Sequence, residues 1–338
     1  MTTQRRDVVG IGNAIVDIIG RCDDAFLARH GAPKGHMRLV DPATLMTLYN
    51  AMGPGVEISG GSAANSIAGV ASFGGSGGFI GKTGDDEFGR IFAHDIRAQG
   101  VAFAAIPVAG AATSRSLILV TPDGERTMNT FLGVSTEFAA GDLDAALIAS
   151  AGIVYLEGYL FDGAGATEAF KTAAGLSRKS GGRVALSLSD SFCVDRHRAA
   201  LLSFIRSSVD ILFANESEII SLYETSDFDT AARLAGVDVK LAALTRGAKG
   251  SVILSDGAAS AVPAHPVARV VDTTGAGDLY AGGFLHGLAR GVPLKTAGAL
   301  AALAASEIIS HIGARPEANL AALAKQAGLD SLAAIFPV

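Results

Sequence analysis

Cysteine occurs only twice, at Cys22 and Cys193, so no disulfide framework is available. The seven histidines show no metal-ligand spacing, and nothing resembles a Cys/His metal cluster. Charge is scarce as well: 18% of residues are charged and the net charge is −6, which argues against a nucleic-acid or anionic-membrane surface. The opening residues, MTTQRRDVVG, hold no apolar signal core. Residues 58–81 carry no charge, yet they contain eight Gly, five Ser and only six large apolar residues. That suits a loop entering a tightly packed helix better than a membrane span. These absences predict a cytoplasmic protein that engages neither nucleic acid nor membrane.

What is present is small and apolar. Hydrophobic residues make up 49% of the 338, and Gly alone accounts for 42. A chain of this length buries a sizeable core, as two domains or as one large α/β domain with an appendage. Residues 7–11, 153–156, 184–188, 211–213, 241–245 and 252–254 form short apolar runs that predict strands. Between them, residues 166–179, 195–207 and 216–224 have helical spacing. The alternation predicts a mostly parallel sheet with helices on both faces and ligands at the carboxyl ends of its strands. One region departs from it: residues 114–121 and 126–131 alternate like antiparallel strands around the turn Pro122-Asp123-Gly124, and 37–40 is a further short strand. These predict a small β layer projecting from the main sheet as a lid.

Five stretches carry polar chemistry. In DTTGAGDLYAGGF, which starts at Asp272, the near-absence of side chains at Gly275, Ala276 and Gly277 lets their N–H groups converge on an anion at a helix start. Asp278 beside that site hinders anion binding but serves a reaction that needs a base there; a helix-terminal acid is the plainer alternative. GIGNAIVDI, from Gly10, lacks the third Gly of a dinucleotide fingerprint. Its Asn13 and Asp17 instead suit sugar hydroxyls at a strand exit, or else a turn amide and a surface carboxylate. GGSAANSIAGVASFGG, from Gly60, sets Gly61 and Asn65 toward a ligand, or uses Ser62 as a helix cap. NESE, from Asn215, suits a hydrated Mg2+ or a helix N-cap with first-turn acids. TRGAKG, from Thr245, lays backbone against a nucleotide or forms an ordinary β-turn.

In this order the stretches resemble the PfkB family of carbohydrate and nucleoside kinases, also called the ribokinase family. Gly60 to Asn65 is similar to its first signature and Asp272 to Phe284 to its second. The resemblance implies a ribokinase-like three-layer α/β sandwich with a mostly parallel central sheet. It also implies a single kinase domain over residues 1–338, with a β lid from about 14–42 and 105–135. By the same resemblance Asp278 is the catalytic base and Gly275, Ala276 and Gly277 form the anion hole. Asn215 and Glu218 lie near Mg2+ and phosphates, and Thr245, Gly247 and Gly250 form the ATP-side loop. Asp272 and Thr274 fall where many members bind a monovalent cation such as K+.

Within the family, GNAIVDI, GGSAANS, FIGKTGDDEFG and VDILFANESE are most similar to the adenosine kinases. That likeness implies that Asn13, Asp17, Gly61, Ser62 and Asn65 hold a ribose. Phe192, in SLSDSF, would pack on a base, and Arg126 would reach the transferring phosphate. Two positions depart from that branch: Glu157 stands where it has a small residue, and Leu160 where it has a second base-stacking aromatic. The expected function is ATP-dependent phosphorylation of the primary 5' hydroxyl of a ribonucleoside, adenosine to AMP, in purine salvage. A family sugar kinase acting on ribose, fructose or a keto-deoxy acid is the nearest alternative. A non-catalytic nucleotide-binding protein is disfavoured by Asp278 and its nest. A lid can serve one subunit or pair with a second, so a monomer or a homodimer is expected.

Overall fold

The computed structural model describes residues 5–105 and 107–329. Residues 1–4, 106 and 330–338, which the single-domain and lid expectations also span, lie outside the described residues. Among the described residues thirteen strands run in chain order: β1 Arg6–Ile11, β2 Ile15–Arg21, β3 Met37–Leu39, β4 Gly55–Ser59, β5 Gly77–Ile80, β6 Ser114–Val120 and β7 Arg126–Phe131, then β8 Ala151–Glu157, β9 Arg183–Ser187, β10 Ile211–Asn215, β11 Leu241–Thr245, β12 Ser251–Ser255 and β13 Ala258–Val262. They make two sheets. The larger has the order β13-β12-β11-β10-β9-β8-β1-β5, and the smaller β3-β7-β6-β2-β4.

In the larger sheet, every pair from β11 through to β5 is parallel. Alternate strand residues go to opposite faces. Val9, Val154, Leu186, Leu212 and Leu244 enter one core with the helices Ala166–Lys179 and Ser191–Ser208. Val8, Ile153, Ala185, Phe213 and Ala243 enter another with the helices Ser62–Ser72 and Ala276–Ala289. Because both faces are covered, these strands read as continuous apolar runs. Strands β12 and β13 are antiparallel, so residues 245–250 form a hairpin turn rather than a crossover. The helix expected over 195–207 starts at Ser191, because Asp190 caps it by accepting from the Cys193 N–H at 2.5 Å.

The uncharged stretch 58–81 contains the Ser62–Ser72 helix, which packs on Ala276–Ala289. A Cβ on Gly282 would meet the Ser66 carbonyl oxygen at 2.5 Å, and one on Gly283 would meet Ala301 at 2.8 Å. Small residues therefore let three helices approach to backbone contact. Among the described residues no helix is long and apolar enough to cross a membrane.

The smaller sheet pairs β2 with β6 in parallel and with β4 antiparallel, while β6 and β7 form the hairpin. Its edge β4 lies outside the two segments expected for the lid. One face packs Ile18 and Leu117 against Leu45 and Leu48 of the helix Pro42–Ala51. The other face turns Ile15, Asp17, Ser116, Ile118 and Met128 toward a cavity at the carboxyl ends of the main strands.

Candidate active site

Two cavities meet at the start of the Ala276–Ala289 helix. The first, about 390 Å³, is lined by Asn13, Asp17, Gly61, Ser62, Asn65, Glu157, Asn215, Glu218 and the run from Thr273 to Asp278, roofed by the smaller sheet. The second, about 470 Å³, is lined by Thr245, Gly247, Gly250, Val267, Val270, Tyr280 and Ile309. Thr273, Ala276 and Gly277 border both. A small chamber of about 70 Å³, lined by Ser189, Asn215, Glu218, Thr245 and Asp278, lies alongside them. A larger cavity of about 600 Å³ between the Phe228–Asp238 helix and β12–β13 shares no lining residue with these three and lies away from the helix start, so size alone does not mark the site.

The shared wall is a run of small residues at a helix start, the stretch expected to cradle an anion. Gly275 is the N-cap, in the left-handed region at φ 76°, and no side chain caps the helix. The Ala276 N–H is bonded to the Thr273 carbonyl at 3.2 Å. The N–H groups of Gly275, Gly277 and Asp278 have no partner among the described residues, and space beside Gly277 is open. Free N–H groups at a positive helix end favour an anion there.

Asp278 faces the first cavity. Its Oδ1 accepts from Ser62 Oγ at 2.6 Å and its Oδ2 from Asn65 Nδ2 at 2.9 Å. Ser62 is thus not the helix cap, a position held by Gly61 at φ 90°. Asn65 Oδ1 is buried without a partner among the described residues. Burial pushes the Asp278 carboxyl above its ordinary value, and the bonds from Ser62 and Asn65 and the charge of Arg315 oppose that rise.

Other carboxylates crowd the same space. Burial pushes Asp17 up to about 7, against the attraction of Arg315 and Arg126. Burial also pushes Glu157 up to about 7. The Glu157 carboxylate accepts from Asn13 Nδ2 at 2.6 Å, Asn13 N at 3.3 Å and Ala63 N at 2.8 Å. It therefore holds Asn13 and caps the Ser62–Ser72 helix, whose own N-cap glycine has no side chain to do so. With its amide nitrogen committed, Asn13 keeps Oδ1 as an acceptor for a ligand hydroxyl.

Asn215 and Glu218 form a reciprocal capping box at the end of β10 and line the first cavity, so the cap geometry and the site position coexist. Burial pushes Glu218 up to about 7, and the negative charges of Asp190 and Asp278 add to the rise.

Arg126, at the start of β7, ion-pairs with Asp272 and donates to Thr274 Oγ1 at 3.0 Å, linking the smaller sheet to the loop before the cradle. Asp272 also accepts from Thr274 N at 2.9 Å and Gly313 N at 3.0 Å. Both carboxylate oxygens are thus committed to protein donors with a guanidinium against them, and the side chain does not fit a monovalent cation in this arrangement. Phe192 lies outside the first cavity, 56% exposed and edge-on to His36 at 6.4 Å between ring centroids.

Sequence reasoning missed several residues. Ser189 lines the first cavity with φ 74°, rare for a residue with a side chain, and only its position after a strand could have pointed to it. Met37, Ile118 and Met128 line the roof with nothing in sequence to separate them from ordinary strand residues. Arg315 is buried behind residues 59–64.

A model of the pfkB family carbohydrate kinases matches residues 51–320. A solved adenosine kinase from Sinorhizobium meliloti is 50% identical, covering 96% of this chain and 99% of that one, with a TM-score of 0.92. A probable sugar kinase protein from Rhizobium etli CFN 42 is 47% identical over the same shares, with a TM-score of 0.93. Fructokinase-1 of Oryza sativa subsp. japonica is 30% identical over 240 residues, 68% of this chain and 74% of that protein.

Proposed function

The chain belongs to the pfkB family of carbohydrate kinases, with its ribokinase-like fold, and we propose that it transfers the terminal phosphoryl group of ATP to the 5' hydroxyl of a ribonucleoside, adenosine to AMP. The observation that carries this reading is Asp278, held by Ser62 and Asn65 in one cavity beside unpaired N–H groups that border the other.

Phosphoryl transfer demands alignment and charge neutralisation more than covalent chemistry. Asn13 and Asp17 bind hydroxyls of the acceptor. Asp278 takes the proton of the attacking hydroxyl as its oxygen bonds to phosphorus and the bond to the bridging oxygen of the donor breaks. The N–H groups of Gly275, Gly277 and Asp278 receive the charge on the transferring group. Arg126 adds positive charge from the lid side when it exchanges Asp272 for phosphate. Thr245, Gly247 and Gly250 border the cavity suited to the nucleotide. Asn215 and Glu218 already accept from protein donors, so they would hold Mg2+ only through its retained waters, where a cation would relieve the repulsion that Asp190 and Asp278 impose on Glu218. When bound, that ion would neutralise phosphate charge. The smaller sheet closes as a lid and excludes water as a competing acceptor.

A nucleoside is favoured by the apolar roof of the acceptor cavity, where Ile15, Met37, Leu39, Ile118 and Met128 offer a base surface that a free pentose cannot use. Lid closure would bring His36 and Phe192 onto that base. The likeness to an adenosine kinase across nearly the whole chain supports the same acceptor. A sugar kinase is the second reading, favoured by the buried carboxylate of Glu157 at the polar end of the cavity. The test is kcat/KM for adenosine, inosine, ribose and fructose with ATP and Mg2+. Adenosine should exceed the sugars by more than about tenfold, since ring burial is worth more than the ~1.4 kcal/mol required. Ribose or fructose matching adenosine would leave only the family-level kinase.

A further inference from the structure

Arg315 is buried, 7% exposed, and among the described residues it has no carboxylate within ion-pair distance. Its guanidinium instead donates to backbone oxygens: Nε to Ser59 at 3.0 Å, one terminal nitrogen to Ala64 at 2.9 Å and the other to Gly60 at 3.3 Å. A fourth bond, 2.9 Å, reaches Gln99 Oε1 at the end of the Glu87–Ala98 helix. Three of the four acceptors belong to one six-residue stretch, residues 59–64, which leaves β4 of the smaller sheet and enters the Ser62–Ser72 helix. That stretch carries Ser62 and leads to Asn65, the two side chains that hold Asp278. It also carries Gly60, whose N–H donates to the Ile15 carbonyl in β2 at 2.8 Å.

We propose that Arg315 is a positioning residue for phosphoryl transfer: its planar fork sets residues 59–64 so that Ser62 and Asn65 aim Asp278, and its charge favours the ionised carboxylate. This rests on the reading of Asp278 as the base. A planar guanidinium bonded in four directions fixes a turn that contains two glycines and no side-chain cap of its own. Its charge has no ion-pair partner, so its field falls on the carboxylates nearby. Burial pulls Arg315 down to about 10, and Asp17, Asp278 and Asp95 all act against that to keep it protonated. Asp278 in turn faces Arg315 as its cationic neighbour, and its own negative charge opposes ionisation of Asp17, Glu157, Glu218, Tyr155 and Tyr159, which face it from the other elements. Arg126 faces Asp17 from the lid side.

The sign follows. A base acts when deprotonated, so activity falls as pH drops through its pKa, and removing a nearby positive charge moves that acid limb to higher pH. In Arg315→Gln we expect kcat to fall about ten- to a hundredfold from misalignment, with the acid limb raised by about half to one pH unit. Arg315→Lys should restore the acid limb, because the charge remains, while kcat stays low, because a point charge does not reproduce the fork.

The measurements are kcat and KM against pH for both variants, with folding checked by circular dichroism and activity expressed per folded molecule. Wild-type kcat in Arg315→Gln, or a loss matching only the unfolded fraction with the acid limb unmoved, would overturn the proposal. If neither variant folds, Gln99→Leu decides. It removes one acceptor and leaves the charge, so a few-fold loss of kcat with an unmoved acid limb is expected, and an unchanged kcat overturns the clamp. A wild-type profile with no acid limb would sink Asp278 as base, whereas a limb that Arg315→Gln leaves in position sinks only the role given to Arg315.

Discussion

The two cavities differ in how they are built. The one under the smaller sheet is polar and pre-ordered, with Asp278, Glu157 and Glu218 each held by two or more hydrogen bonds and pushed toward neutrality by burial. The one beside residues 245–250 is walled by Val267, Val270, Tyr280, Ala302 and Ile309 and offers mainly apolar surface and backbone. On the proposed reading the first would aim a hydroxyl and remove its proton, and the second would hold a flat ring with its phosphates toward the helix start. Chemistry needs buried charge in fixed directions, whereas nucleotide binding is served by area and backbone.

The strongest way to break this contrast is Asp278→Asn. Turnover should fall by about 10²–10⁴, with the nucleotide dissociation constant unchanged in a direct binding titration. A variant within a few-fold of wild-type kcat would remove Asp278 from the chemistry.

Gly277→Ala probes the wall that both cavities share. A Cβ there meets nothing within 4 Å, so the fold has room for it, and an alanine early in a helix should leave Tm unchanged or slightly raised. The methyl group intrudes where an anion would approach, so kcat/KM should fall about tenfold for both substrates together. Undiminished activity in a folded variant would mean the cradle holds no phosphate.

Phe192→Ala sharpens the acceptor assignment. We expect kcat/KM for adenosine to drop about fivefold, in line with one aromatic contact, while the low value for ribose stays put. Equal loss on both acceptors, measured side by side, would show that Phe192 touches no base.

The smallest effect is a pH dependence of stability. Asp17, Glu157 and Glu218 rise to about 7 in the folded chain from ordinary values of 3.8, 4.5 and 4.5. Each therefore contributes stability that is complete below its unfolded value and is lost as pH climbs through about 7. His286, which burial pushes down to about 4 from 6.5, works the other way below 6.5. Scanning fluorimetry should find Tm rising by about a few degrees from pH 8 to 6.5 and continuing to rise toward pH 5, where His286 offsets part of the gain. On the proposed mechanism activity should run opposite, since Asp278 acts as a base only when ionised. A Tm that falls over that first interval would mean these carboxylates are not withdrawn from water.

Much of this protein was determined by local sequence. Strands β1, β8, β9, β10 and β11 are legible because a parallel strand covered on both faces is apolar throughout. The 114–131 hairpin is legible from its turn, and the proposed cradle from three consecutive residues whose lack of bulk is itself the signal. Strands β2 and β4 were not, because one face of β2 turns Asp17 into a cavity and β4 is mostly exposed, so neither keeps a clean apolar pattern. Nor could sequence show that Ser62 and Asn65 reach Asp278 across 216 and 213 residues, that Glu157 holds Asn13 across 144, or that Arg315 grips carbonyls about 250 residues away. The physical reason is that propensity acts through a residue's own backbone and near neighbours, whereas a carbonyl acceptor carries no residue signature and a buried carboxylate finds its donors only once the chain has packed.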